Sequence, residues 1–295
     1  MRMQRILVVG AGFMGAGIAQ VCAQAGNAVD LVDVKIQALD RAMQGMGHSL
    51  GRLAQKGLIA ESPEAVLARV SPQAGLANAA RADWVIEAAL EIEGLKLEMF
   101  AELGRLAPAT TPLASNTSSI PISRLAAATP HPERVLGLHF FGPVPLMGLV
   151  EVVKADQTSP EVLERGAQFI RSLGKTPVKV NKDLPGFVMN RIFGAAFREA
   201  ADLVAAGVVT PEDADLGMKL GYGWNAGPFE IADNAGLDTI ALIGQFMKSV
   251  GEHDLAPRSD LVPRLVAQGR LGRKAGHGFY RYSPEGKRLP GWEAE

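Results

Sequence analysis

Residues 5–33 decide the fold. They begin Arg5-Ile6-Leu7-Val8-Val9-Gly10-Ala11-Gly12-Phe13-Met14-Gly15 and end Gly26-Asn27-Ala28-Val29-Asp30-Leu31-Val32-Asp33. Residues 5–10 are an apolar, β-branched run with no helical period, which predicts a buried strand. Ile18, Val21, Cys22 and Ala25 then recur at helical spacing. Gly26-Asn27 ends that helix, and residues 28–33 read as a second strand closed by an acid. Strand, glycine turn, helix, strand and acid is the context in which G-x-G-x-x-G binds a dinucleotide. Gly10 permits the tight turn, Gly12 lets backbone approach a pyrophosphate, and Gly15 allows close helix–strand contact. The helix N-terminus, starting at Phe13 and Met14, offers N–H groups and a positive dipole end to phosphates. Asp33 lies 18 residues after Gly15, where a carboxylate binds ribose hydroxyls and repels a 2′-phosphate. NAD is therefore expected over NADP, with Lys35 the nearby residue that argues the other way.

Alternating elements continue outward from this unit. Residues 36–60 are helical in pattern and carry Arg41, His48, Ser49, Arg52 and Lys56. Residues 84–89 read as a strand after an Ala-rich stretch at 76–82. Residues 94–106 read as a helix with Leu95, Met99, Leu103 and Leu106 on one face, and 110–115 as a strand. A helix over 159–173 and a last strand over 176–180 follow. Beyond Lys182-Asp183-Leu184-Pro185-Gly186 strand signals almost vanish, and 187–206, 210–220, 228–234, 238–250 and 259–268 all read as helices. Thr210-Pro211 is a good helix start, with a hydroxyl cap and proline in the first turn. The expectation is an α/β protein with an N-terminal Rossmann-type dinucleotide-binding domain over 1–184 and an all-helical domain over 185–295.

Composition sets bounds. At 295 residues, two domains are the default. A net charge of −1 provides no field for nucleic acid or an anionic membrane. The single cysteine, Cys22, leaves no internal disulfide framework and no Cys-based metal site. No signal peptide or apolar run of transmembrane length is seen, and a cytoplasmic protein is expected. His48, His131, His253 and His277 have no metal-ligand spacing, so they read as surface, loop or structural residues and no metal is expected.

The chemistry is announced by ionisable residues inside apolar strands. His139 sits in Leu136-Gly137-Leu138-His139-Phe140-Phe141, and Glu151 in Leu149-Val150-Glu151-Val152-Val153. Such groups are costly to bury without a partner. A Gly/Pro-rich connection from Gly142 separates the two runs, so the strands can lie side by side with imidazole facing carboxylate. That pairing fixes the ring tautomer and raises the basicity of the other nitrogen, the arrangement of a general base. A purely structural pair holding two strands together fits the same pattern. Ser115-Asn116-Thr117-Ser118-Ser119 should follow a parallel strand at the carboxyl edge of the sheet, where hydroxyls can bind a substrate oxygen or simply make turns. Asn190 falls in the first turns of the helix that opens the second domain, next to the expected inter-domain cleft.

Together, Gly10–Gly15, Ser115–Ser119, Leu138-His139-Phe140-Phe141, Leu149–Val153 and Pro185-Gly186-Phe187-Val188-Met189-Asn190-Arg191 resemble the L-3-hydroxyacyl-CoA dehydrogenases, including the bacterial 3-hydroxybutyryl-CoA dehydrogenases. The resemblance spans nearly the whole chain. It implies NAD-dependent, reversible oxidation of a 3-hydroxyacyl-CoA, and a helical domain that makes a homodimer. It implies His139 as catalytic base, Glu151 as its orienting partner, and Ser118 and Asn190 as substrate-binding residues. It further places Glu91, Lys96 and Lys274 near NAD, and Ser49 and Lys56 near the CoA moiety. One departure stands out: relatives usually continue His-Phe-Phe-Asn-Pro, and here Gly142 replaces the Asn. Asn225-Ala226-Gly227-Pro228 also departs, where relatives often carry Met before Gly-Pro. Two other readings stay open: a related dehydrogenase of a non-CoA hydroxy acid such as a sugar acid or carnitine, and a non-enzymatic NAD-binding protein.

Overall fold

The computed structural model describes residues 3–252 and 258–289, so His253 lies outside the described residues. In chain order the elements are β1 (Arg5–Val9), α1 (Phe13–Gln24), β2 (Ala28–Val32), α2 (Ile36–Gln55), α3 (Pro63–Leu67), β3 (Val70–Gln73), β4 (Trp84–Glu87), α4 (Glu93–Leu106), β5 (Leu113–Ser115), α5 (Ile122–Ala127), β6 (Val135–Phe140), β7 (Leu149–Lys154), α6 (Pro160–Ser172) and β8 (Thr176–Val180). Helices alone follow: α7 (Met189–Ala205), α8 (Pro211–Tyr222), α9 (Pro228–Ala235), α10 (Leu237–Ser249) and α11 (Leu261–Ala267). The chain divides into two compact units, the first ending at Phe187 and the second starting at Val188.

The strands form one sheet in the order β3-β2-β1-β4-β5-β6-β7-β8, parallel throughout except for the antiparallel β6–β7 pair. Successive strands add to one side of β1 and then, from β4, to the other. That reversal makes the carboxyl ends of β1 and β4 a topological switch point, where open α/β sheets bind ligands. Register sets Val9 beside Glu87 there. The strand interiors are apolar because helices cover them. Ile6, Ile18, Cys22, Leu31, Leu50, Trp84 and Ile170 belong to one buried cluster, in which Trp84 stacks on Phe169 at 4.6 Å. The second unit has its own core around Phe197, Phe229, Phe279 and Tyr280.

Several local expectations are corrected. Helix α2 stops at Gln55 rather than near residue 60, because Gly57 turns left-handed at φ +67°. Strand β3 escaped the pattern: only Val70 is buried, and Pro72 is tolerated because the strand lies at the sheet edge. Strand β5 is shorter than 110–115, since Pro112 has no N–H to give. Helix α5 is too short to show a period, although Ile122, Leu125 and Ala126 are buried. The predicted face of α4 holds only at Leu103. Leu95 and Leu106 are exposed, while Lys96, Phe100, Leu103 and Gly104 turn inward. Gly104 lies so close to the chain after α5 that an added Cβ would stand 2.7 Å from Pro130.

Candidate active site

The antiparallel register of β6 and β7 sets His139 directly opposite Glu151. Directly opposed residues share a face of the sheet, and Nδ1 of His139 lies 2.7 Å from Oε2 of Glu151. Glu151 is fully buried and His139 is 6% exposed. Phe141 packs on the imidazole at 4.6 Å, and Phe187 meets it edge-on at 5.5 Å. An ionised carboxylate only accepts, so Nδ1 carries the proton and Nε2 presents its lone pair.

The loop after β5 is held by a second set of buried charges. Lys96 from α4 places Nζ 2.6 Å from Glu87 Oε1 and 3.2 Å from Glu91 Oε2. Ser115 Oγ donates to Glu87 Oε2 at 2.6 Å and accepts from the Thr117 N–H at 3.1 Å. Oε1 of Glu91 accepts from the hydroxyls of Thr117 and Ser119 and from the N–H groups of Ser118 and Ser119. Burial pushes the Glu91 carboxyl up, but the Lys96 charge and the two hydroxyls outweigh it and hold the carboxyl below its usual range. Asn116 Oδ1 accepts from the Phe140 N–H at 2.9 Å, tying this loop to the end of β6. Ser118 is thus fixed by its backbone, with its side chain partly buried.

The glycine turn is built for close approach. Gly10 has φ +102°, and a Cβ there would stand 2.5 Å from the Ala88 carbonyl oxygen. A Cβ on Gly15 would collide with the Gly10 carbonyl, whereas one on Gly12 would meet nothing. The space outside Gly12 is therefore open, and no side chain caps α1. Asp33 is anchored beside the turn, accepting from the N–H groups of Ala11 and Lys35 at 2.9 Å each. A bare helix N-terminus over an open glycine, with an oriented carboxylate at the end of β2, fits a dinucleotide with free ribose hydroxyls. Phe13 is exposed and Met14 partly buried.

Other expected residues fall as follows. Lys96 is almost fully buried, and its ammonium is spent on Glu87, Glu91 and the Ala89 carbonyl. It reaches the site edge only through Glu91. On α2, Ser49 is partly buried, while Lys56 is exposed just past the last turn. In the second unit, Asn190 lies in the first turn of α7, and Lys274 Nζ is 2.6 and 2.7 Å from the two oxygens of Asp238. Glu87 was missed as a site residue. The signal was present: it is an ionisable group inside Trp84-Val85-Ile86-Glu87-Ala88-Ala89, the same anomaly that exposed His139 and Glu151.

Two family models match in series: the 3-hydroxyacyl-CoA dehydrogenase NAD binding domain over residues 5–184, and the C-terminal domain over residues 186–282. The chain belongs to the 3-hydroxyacyl-CoA dehydrogenase family. It is 44% identical to a probable 3-hydroxybutyryl-CoA dehydrogenase of Deinococcus radiodurans, covering 93% of this chain and 99% of that one. It is 42% identical to the mitochondrial hydroxyacyl-coenzyme A dehydrogenase of Sus scrofa, over 95% and 91% of the two chains. Among solved structures, (S)-3-hydroxybutyryl-CoA dehydrogenase PaaH1 of Ralstonia eutropha superposes with a TM-score of 0.87 at 38% identity, over 96% and 100%. As a member of this family the chain is an NAD-dependent oxidoreductase of 3-hydroxyacyl-CoA thioesters.

Proposed function

We propose that the chain interconverts (S)-3-hydroxyacyl-CoA and 3-ketoacyl-CoA with His139 as general base and Glu151 as the residue that orients it. The observation that carries this reading is the buried 2.7 Å contact between Nδ1 and the Glu151 carboxylate. Nε2 accepts the 3-hydroxyl proton, and Glu151 stabilises the imidazolium that results. Bound NAD+ supplies the hydride acceptor. Ser118, on its clamped loop, and Asn190 bind the substrate oxygen. The backbone of Gly10, Gly12, Phe13, Met14 and Gly15 cradles the pyrophosphate, and Asp33 takes the ribose hydroxyls. Glu91 and Lys96 shape the cofactor side of the Ser118 loop, and Lys274 is a further cofactor residue. Ser49 and Lys56 serve the CoA moiety. In the reducing direction the imidazolium returns its proton to the developing alkoxide.

The same proposal covers a homodimer. Leu203, Val208, Leu216, Leu220 and Tyr222 of α7, α8 and their connection are exposed, apolar side chains that a second copy could cover. A role in fatty-acid β-oxidation rests on the family resemblance, and a cytoplasmic location on the sequence reading. The test is NADH oxidation with acetoacetyl-CoA and longer 3-ketoacyl-CoA thioesters, with 3-keto acids lacking CoA as the contrast. Activity confined to the free acids would overturn the CoA reading. In the same assay Asp33→Ser should weaken NADH about tenfold and narrow the gap to NADPH. Equal wild-type efficiency with both cofactors would point to Lys35 as a phosphate partner instead.

A further inference from the structure

Gly142 stands three residues after His139. Its φ is not in the left-handed region, so the backbone does not demand glycine there. Space does. A Cβ at this position would stand 2.7 Å from Cε1 of Phe13 and 3.5 Å from Sδ of Met14. Phe13 opens α1 directly after Gly12, yet it is 70% exposed. Its ring therefore reaches from the glycine turn to the loop that leaves the His139 strand, within the first unit. A dinucleotide whose pyrophosphate rested on the turn would have Phe13 and the loop at Gly142 beside it on the way to the His139 strand.

We propose that Phe13 and Gly142 are a matched pair that determines how the nicotinamide end of the cofactor is held. The proposal rests on the reading of the site given above. The ring fills the volume that a side chain at 142 would occupy, and its outer face supplies apolar contact to the nicotinamide and its ribose. A planar heterocycle against an aromatic face gains through offset or edge contacts. Neither position is then independently replaceable. Adding a side chain at 142 drives the ring off its seat, and removing the ring opens room at 142.

The test uses direct binding to the whole chain. NADH affinity is measured by fluorescence, and that of ADP-ribose, which lacks nicotinamide, by calorimetry. The proteins are wild type, Gly142→Ala, Phe13→Ala and the double variant. Gly142→Ala should weaken NADH about five- to tenfold when Phe13 is present and less than about twofold in the Phe13→Ala background. Phe13→Ala should itself weaken NADH while leaving ADP-ribose within about twofold. Additive losses in the double variant, or an equal loss for ADP-ribose, would overturn the proposal. Phe13 is exposed, so the Phe13→Ala comparison of the two ligands stands even if Gly142→Ala does not fold. Wild type that binds NADH but does not turn over acetoacetyl-CoA would defeat the functional reading and leave these binding comparisons intact.

Discussion

Each unit of this molecule buries carboxylates, and the two sets have different partners. In the first unit Glu151 faces an imidazole and Glu87 faces an ammonium. In the second, Asp215 accepts from the Phe229 and Glu230 N–H groups at 2.8 and 3.0 Å and from the Tyr280 hydroxyl at 2.7 Å. Asp233 accepts from the Phe279 and Tyr280 N–H groups at 2.8 and 2.9 Å and from the Tyr282 hydroxyl. Burial raises both aspartates above their usual range despite these donors, and burial together with the adjoining aspartates raises both tyrosines. An acid whose pKa is raised by folding contributes stability that is complete below its unfolded value and is lost as pH rises through the folded one. At neutral pH it is the backbone N–H groups and tyrosine hydroxyls that hold these aspartates in the helical core. Burial alone therefore does not mark a catalytic carboxylate.

The sharpest way to break this contrast is His139→Gln. Turnover of acetoacetyl-CoA should fall about 10²–10⁴-fold with NADH still bound, and the melting temperature should fall too, because buried Glu151 loses its imidazole. Near-normal turnover in the folded variant would reduce the pair to a structural one. Glu151→Gln should lower turnover less steeply, by more than about tenfold, and should also lower the melting temperature because it disturbs a buried pair. Unchanged stability and unchanged rate together would remove Glu151 from both roles. Asp215→Asn probes the other side of the comparison. The amide cannot accept from all three donors, so the second unit should lose about 1–3 kcal/mol in denaturant unfolding, while kcat per folded molecule stays within about twofold. A large kcat loss without destabilisation would mean that this carboxylate, too, serves chemistry.

The smallest effect concerns Glu91. Its carboxyl lies below the usual range, so the order it gives the Ser118 loop is complete above the unfolded carboxylate value and is lost only as pH falls through the depressed one. Glu91→Gln removes the main acceptor of that clamp and should lower kcat/KM less than either change in the His139–Glu151 pair, by under about tenfold at neutral pH. A loss as deep as that of His139→Gln would give Glu91 a part in the chemistry itself.

Features carried by short stretches were legible in the sequence. The β1–glycine turn–α1–β2 unit and Asp33 follow from local pattern, and the loss of strands after Val180 separates the sheet from the helices. His139 and Glu151 were legible because an ionisable group in an apolar strand must find a partner, and a short connection limits the choice to the neighbouring strand. Glu87 obeyed the same rule, but its partner Lys96 sits on a helix whose inward face was assigned to leucines. The cost of leaving Glu87 unpaired outweighs the gain from burying Leu95, and one turn of helix cannot reveal that balance.

By itself, then, the sequence determined the secondary elements with strong periods, the dinucleotide turn and the presence of a buried acid–imidazole pair. Each is settled within a few residues by backbone sterics, hydrophobic periodicity and the price of burying charge. Only the tertiary structure decided the order of the strands, the clamp of Glu87, Lys96 and Glu91 on the Ser118 loop, and the seat of Phe13 over Gly142. It also joined Asp215 to Tyr280, 65 residues apart in the chain. These depend on which surfaces meet after the chain has closed long loops, and contact between residues so far apart is set by the packing of whole elements rather than by any local preference.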